Sequence, residues 1–170
     1  MYHAPVLLHT SVKGLNIQPN GTYVDVTYGG GGHSKEILSH LDKGKLFAFD
    51  QDNEALANVI EDGRFQLINH NYRYLKNFLL YYKTPKVDGI LADLGVSSHQ
   101  FDSGDRGFST RFDGELSMKM NEAASLDAAK VINNYDQNDL QQILRTYGEL
   151  KNAGRVAECI CNARVKPVSY

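Results

Sequence analysis

Glycines and carboxylates carry most of the chemistry that can be read from this chain. Four consecutive glycines, Gly29 to Gly32, follow the alternating run Tyr23-Val24-Asp25-Val26-Thr27-Tyr28 and lead through His33 into the helical pattern Ser34-Lys35-Glu36-Ile37-Leu38-Ser39-His40-Leu41. A strand, a glycine turn and a helix in that order let a ligand approach the main chain without meeting a Cβ, and the helix start offers unpaired N–H groups. Such a turn suits a nucleotide-like ligand; a flexible turn that binds nothing is the plainer alternative. Asp50 ends the apolar run Leu46-Phe47-Ala48-Phe49, about 20 residues past the first glycine, where a carboxylate can accept both hydroxyls of a ribose. It could instead cap the next helix, although Asp52 fills that role better. Asp93 places a charge after Ile90-Leu91-Ala92, where a strand should open into a cleft. A buried carboxylate there either caps a turn or serves a ligand or substrate.

The dinucleotide fingerprint fits in part, since Gly29-x-Gly31-x-x-Ser34 supplies two of its glycines and Ser34 stands where a small packing residue is wanted. What must position these groups is an alternation of strand and helix. The turn Pro19-Asn20-Gly21 opens the first strand, and a helix capped by Asp52 carries Ala55, Leu56, Val59 and Ile60. Phe65-Gln66-Leu67-Ile68-Asn69 reads as the third strand. A helix with Leu75, Phe78, Leu79 and Tyr82 then leads past Pro85 to a fourth strand in Val87-Asp88-Gly89-Ile90-Leu91-Ala92-Asp93-Leu94. This order predicts a doubly wound, Rossmann-like α/β sheet of parallel strands, with ligands at the carboxyl ends of the strands. The glycine turn, Asp50, Asn71-Tyr72 and Asp93 should converge on one cleft. Tyr72 either lies against a flat ring or packs beneath the following helix. The residues before the first strand, from Met1 to about Leu15, read as a partly apolar arm and a short helix packed on the domain.

Residues 95–121 show little periodicity and much Gly, Ser and Asp. Phe101, Phe108 and Phe112 alternate there with Arg106, Arg111 and Lys119, as in a loop that stacks unpaired bases. Asp102, Asp105, Asp113 and Glu115 outnumber those bases, so a self-packed loop tied by Asp–Arg pairs is favoured on physical grounds. Beyond it the pattern is helical: one helix over about 126–133, a second capped by Asp136 or Asn138 and carrying Leu140, Ile143, Leu144 and Tyr147, and a third carrying Val156, Ala157, Ile160 and Cys161.

A formal net charge of −2 gives no global attraction to nucleic acid, so any RNA contact must be local. Cys159 and Cys161 sit on divergent helix faces, and no other cysteine is present for a disulfide or a metal site. With no leader pattern and no apolar run of membrane-spanning length, a cytoplasmic protein is expected.

Four motifs occur in order: Val24-Asp25-Val26-Thr27-Tyr28-Gly29-Gly30-Gly31-Gly32-His33-Ser34, Val87 to Ser98, Arg106-Gly107-Phe108-Ser109 and Tyr147-Gly148-Glu149. Together they resemble the bacterial family of S-adenosylmethionine-dependent methyltransferases that modify the N4 amine of a cytidine in the decoding region of small-subunit (16S) ribosomal RNA. The resemblance implies that Gly31, Gly32 and His33 contact the methionine and ribose part of S-adenosylmethionine, Asp50 the ribose hydroxyls and Tyr72 the adenosine. It also implies that Asp93 and Gln100 complete the cofactor pocket nearest the target amine, with Asp93 catalytic and no metal required. The implied partner is small-subunit ribosomal RNA or the small ribosomal subunit, with no membrane, and a homodimer is left open. Residues 1–112 would be the first half of the cofactor-binding domain and 113–170 the start of a helical substrate-recognition subdomain, so the chain looks truncated relative to the family. Where the family usually reads Gly-Pro-Leu-Asp-Met-Arg-Met-Asp, this chain has Gly114-Glu115-Leu116-Ser117-Met118-Lys119-Met120-Asn121, and lysine does not replace a planar bidentate donor. A non-catalytic cofactor- or RNA-binding relic is the alternative. An NAD-dependent oxidoreductase is weaker, because Ser34 breaks the fingerprint.

Overall fold

The computed structural model describes residues 5–102 and 104–164, without the side chains of Ser98 and His99. In chain order the described elements are α1 (Leu8–Gly14), β1 (Thr22–Asp25), α2 (Gly32–Ser39), β2 (Lys45–Asp50), a 3₁₀ turn (Asn53–Asn58), β3 (Phe65–Asn69), a second 3₁₀ turn (Tyr72–Tyr74), α3 (Leu75–Tyr81), β4 (Gly89–Leu91), α4 (Ser98–Asp102), α5 (Ala128–Asn134), α6 (Gln137–Thr146) and α7 (Ala153–Ala163). The chain divides into two compact units among these residues. One runs to Asp102 and takes in Met120–Glu122; the other holds the stretch up to Lys119 and everything from Ala123 onward.

The first unit is built on a parallel sheet of order β3-β2-β1-β4. Successive side chains on a strand point to opposite faces, and each face of this sheet is covered by helices. Tyr23, Leu46 and Leu91 pack with Val12, Ile37, Leu38 and Leu41 of α1, α2 and the turn after α2. Val24, Val26, Phe47, Phe49 and Ile68 pack on the other face with Leu79 of α3, joined by Leu75, Phe78 and Tyr82. Val24, Ile37, Leu46 and Phe49 are completely buried, each worth roughly 1.5–3 kcal/mol relative to exposure. The sheet is therefore doubly wound, as the alternation of patterns predicts.

Two elements depart from expectation. The helix expected over Ala55 to Ile60 is the 3₁₀ turn Asn53–Asn58, in which Ala55 is buried while Leu56 and the following Val59 are exposed. Asn58 ends it by folding back on the glycine turn: its carbonyl accepts from Tyr28 Oη and its Nδ2 donates to the Gly29 carbonyl at 3.4 Å. The fourth strand is only three residues long. Its ladder stops where Val26 N donates to the Leu91 carbonyl, and Asp93 N then turns to the Thr27 hydroxyl.

In the second unit Asp127 and Asp136 cap α5 and α6, accepting from Lys130 N at 2.7 Å and Asp139 N at 2.8 Å. Leu140, Ala153 and Ala157 are buried in this helical unit. The loop before α5 is self-packed. Arg106 is buried, lies 5.9 Å from the Phe108 ring centroid and donates through Nη2 to the Lys119 carbonyl at 2.8 Å. Phe108 is thus enclosed under a guanidinium and is not free to stack on a base, whereas Phe101 and Phe112 are exposed.

Candidate functional site

The site grows from the turn between β1 and α2. Gly29 has φ 51° and Gly31 φ 76°, a left-handed backbone open to glycine at little cost. Gly31 is the N-cap of α2, and no side chain caps that helix. A Cβ at Gly31 would lie 2.8 Å from Tyr28 Oη, and one at Gly32 would lie 2.2 Å from Pro5 Cγ. The turn is therefore filled on its inner side by Tyr28 and roofed by the arm at Pro5, which leaves no room for a side chain at Gly31 or Gly32.

One cavity of about 690 Å³ opens above the carboxyl ends of the strands. Its walls include Gly29, Gly30, Gly32 and His33 from the glycine turn, Asp50 and Asp52 after β2, Asn71 and Tyr72 after β3, and Asp93 and Gln100 after β4. All four strand ends converge as expected. Of the residues singled out from sequence, Gly32, His33, Asp50, Tyr72, Asp93 and Gln100 line this space. Gly31 stands behind it, shaping the turn without forming the wall.

Asp50 is held from both sides: Oδ2 accepts from Gly29 N at 2.8 Å and Oδ1 from Asp52 N at 2.9 Å. Burial pushes its carboxyl above the usual range, with the neighbouring Asp52 charge adding to the rise and the amide bonds opposing it. Each oxygen keeps a second lone pair for a hydroxyl donor. Asp52 does cap the following turn, accepting from Glu54 N at 3.1 Å, and its Oδ2 also accepts from Gln100 Nε2 at 2.9 Å. Gln100 is in turn tied to its own loop, with Oε1 accepting from Ser97 N at 3.0 Å. Tyr72 is exposed at the rim, so the alternative of packing beneath α3 does not hold. Asp93 is exposed on the cavity wall rather than buried, because β4 ends two residues before it. His33 is buried, and its Nε2 has no hydrogen-bond partner among the described residues.

Three residues that sequence reasoning did not assign to the site, Asp25, Ser34 and Met120, support or line it. Asp25 is fully buried and accepts from Ser34 Oγ at 2.7 Å and Thr27 N at 3.0 Å. Burial raises its pKa, with the Ser34 and Thr27 bonds opposing the rise. Ser34, which spoils the dinucleotide fingerprint, is thereby the anchor of α2 on β1. The alternation of the first strand did contain this signal, since it puts Asp25 on the same face as buried Tyr23. Met120 is the third, lining the cavity with its sulfur 3.7 Å from Gln51 Nε2.

Four carboxylates, Asp50, Asp52, Glu54 and Asp93, line the cavity against one lysine, Lys35. That balance favours a cationic ligand over a pyrophosphate. An uncapped helix start beside an acidic wall suits a molecule with a carboxylate at one end and a positive centre further in.

A family model described as the MraW methylase family matches residues 1–169. Proteins named Ribosomal RNA small subunit methyltransferase H from Flavobacterium johnsoniae and Christiangramia forsetii are 60% and 58% identical over 164 residues, covering 96% of this chain and 54% of each relative. The protein of that name from Cytophaga hutchinsonii is 52% identical over 172 residues, covering 99% of this chain and 58% of its own length. The chain spans about half the length of the curated relatives it matches.

Proposed function

The chain belongs to the MraW methylase family, and from that premise we propose that it serves an S-adenosylmethionine-dependent methyltransferase acting on the N4 amine of a cytidine in small-subunit ribosomal RNA. The names of its relatives supply the ribosomal substrate; the resemblance of its motifs supplies the cytidine, the amine and the decoding region. Residues 1–112 then act as the first half of the cofactor-binding domain and 113–170 as the start of a substrate-recognition subdomain. The observation that carries the reading is the bond from Gly29 N to Asp50 Oδ2 at 2.8 Å, which locks a ribose-binding carboxylate to the glycine turn.

The residues fit the cofactor. Gly32 and His33 at the uncapped start of α2 would take its methionine carboxylate, with Gly31 setting the turn, and the buried His33 Nε2 has a polar group to gain. Asp50 would accept the ribose hydroxyls, Tyr72 would lie against the adenine, and Gln100 would hold the Asp52 side of the wall. When bound, S-adenosylmethionine supplies an electrophilic methyl group on a sulfonium.

The chain's own contribution is placement and proton handling. The exocyclic amine of cytosine delocalises its lone pair into the ring and is a poor nucleophile, so close in-line placement matters most. Asp93, exposed on the wall and fixed by its backbone bond to Thr27 Oγ1, accepts a hydrogen bond from that amine and takes up its proton. The base must leave its stack to reach the cleft; Phe101 is the exposed aromatic of the first unit just past the β4 loop. The test is to incubate the protein with small ribosomal subunits and methyl-labelled S-adenosylmethionine, digest the RNA and identify the labelled nucleoside. N4-methylcytidine is expected; label on a ring carbon or a ribose oxygen would contradict the assignment.

A further inference from the structure

Residues 63–87 hold Arg64, Arg73, Lys76, Lys83 and Lys86 and no carboxylate, in a chain with 18 Lys and Arg against 20 Asp and Glu. Arg64 is committed to Asp62, but Arg73, Lys76, Lys83 and Lys86 are exposed. Tyr72, Tyr74 and Tyr81 are exposed among them, Tyr81 to 78%. On α3 the apolar side, Leu75, Phe78, Leu79 and Tyr82, packs on the sheet. Lys76 and Leu80 therefore fall on the outward side of α3, with exposed Tyr72 in the turn before the helix and exposed Lys83 just past its end. The Arg73 guanidinium lies over the Tyr74 ring at 5.4 Å, and a contiguous exposed aromatic surface beside Lys76, Lys83 and Lys86 fits a binding face. The face also begins at the cleft, since Asn71 and Tyr72 line it.

We propose that the outer face of the Tyr72–Tyr74 turn and α3, continued through Lys83 and Lys86, is a track for single-stranded RNA flanking the target nucleotide. The lysines meet phosphates and Tyr81 offers a ring on which a base stacks. The seven residues of α3 alone give roughly 10 Å of rise, and the turn before it and the segment to Lys86 after it extend the surface to suit a short run of nucleotides. The inference rests on the proposed RNA substrate. It explains how a chain of net charge −2 attracts a polyanion through one local surface.

The experiment titrates the protein into a fluorescently labelled 12-nucleotide single-stranded RNA at several salt concentrations and measures S-adenosylmethionine binding in parallel. Lys76→Gln, Lys83→Gln and Lys86→Gln combined should flatten the slope of log affinity against log salt by about 2, since each phosphate contact to a single strand contributes about 0.7. Tyr81→Ala should weaken binding about five-fold or more with its slope unchanged. Both variants should keep wild-type S-adenosylmethionine affinity and melting temperature. Wild-type RNA binding by the variants, equal binding of a duplex of the same charge, or no RNA binding by the wild type would each overturn the track. If the wild type also fails to bind S-adenosylmethionine, the methyltransferase reading falls with it.

Discussion

The Ser34 hydroxyl donates to the buried carboxylate of Asp25 across 2.7 Å, fastening the first turn of α2 to β1 directly beneath the glycine turn. Burial raises the folded pKa of Asp25 above its ordinary 3.8, so the folded state holds this proton more tightly than the unfolded chain. The contribution of Asp25 is therefore greatest below about pH 4 and is lost as pH rises through its raised value. Asp25→Asn, which keeps one donor and one acceptor, should remove that part of the pH dependence in chemical denaturation. Asp25→Ala strands the Ser34 hydroxyl and Thr27 N–H and should cost about 1–3 kcal/mol.

The glycines of the turn are separable by what surrounds them. A Cβ at Gly29 meets nothing within 4 Å, whereas one at Gly31 strikes the buried Tyr28 side chain at 2.8 Å. Gly29→Ala should cost only the left-handed backbone penalty of about 1–2 kcal/mol. Gly31→Ala should cost more than that and displace Tyr28 from Asn58. Thermal melts of the two variants, with tyrosine fluorescence as the local probe, check the difference.

The sheet was legible because strand and helix patterns alternate along the chain, and the apolar run Leu46 to Phe49 reflects a strand whose side chains are divided between two packed faces. Asp50 was legible from its distance to the glycines. The turn at Asn53–Asn58 was not, since apolar residues at 55, 56, 59 and 60 mimic a helix face while Asn58 is drawn back to Tyr28 and Gly29 by contacts some thirty residues away in sequence. The same holds for the Gln100 to Asp52 bond, 48 residues apart, which no local pattern announces. For Asp93 the charge was visible but its exposure depended on where β4 ends, and that is set by pairing with β1.

Thr27 links the buried network to the proposed catalytic carboxylate. Its Oγ1 accepts from Asp93 N at 2.8 Å and lies 3.4 Å from Asp25 Oδ1. Thr27→Val, isosteric but without the hydroxyl, should let the Asp93 amide exchange with solvent roughly five- to ten-fold faster. Methyl transfer should fall while S-adenosylmethionine affinity is kept. Thr27→Ser should restore both; if exchange at Asp93 is unchanged in the valine variant, Thr27 does not position that loop.

Gly154 is the second residue of α7, where a Cβ would meet Gln141 Oε1 at 3.0 Å. The end of a glutamine side chain can move aside, and alanine is the better helix former by about 1 kcal/mol. Gly154→Ala should thus raise stability by a few tenths to about 1 kcal/mol in urea denaturation.

Isothermal titration of S-adenosylmethionine into the wild-type protein and Asp50→Ala bears most directly on the cradle formed by the glycine turn and Asp50. Losing charge-assisted bonds to the ribose should weaken binding about ten-fold or more at unchanged stoichiometry. Equal affinities for the two proteins would contradict the assignment of the cleft.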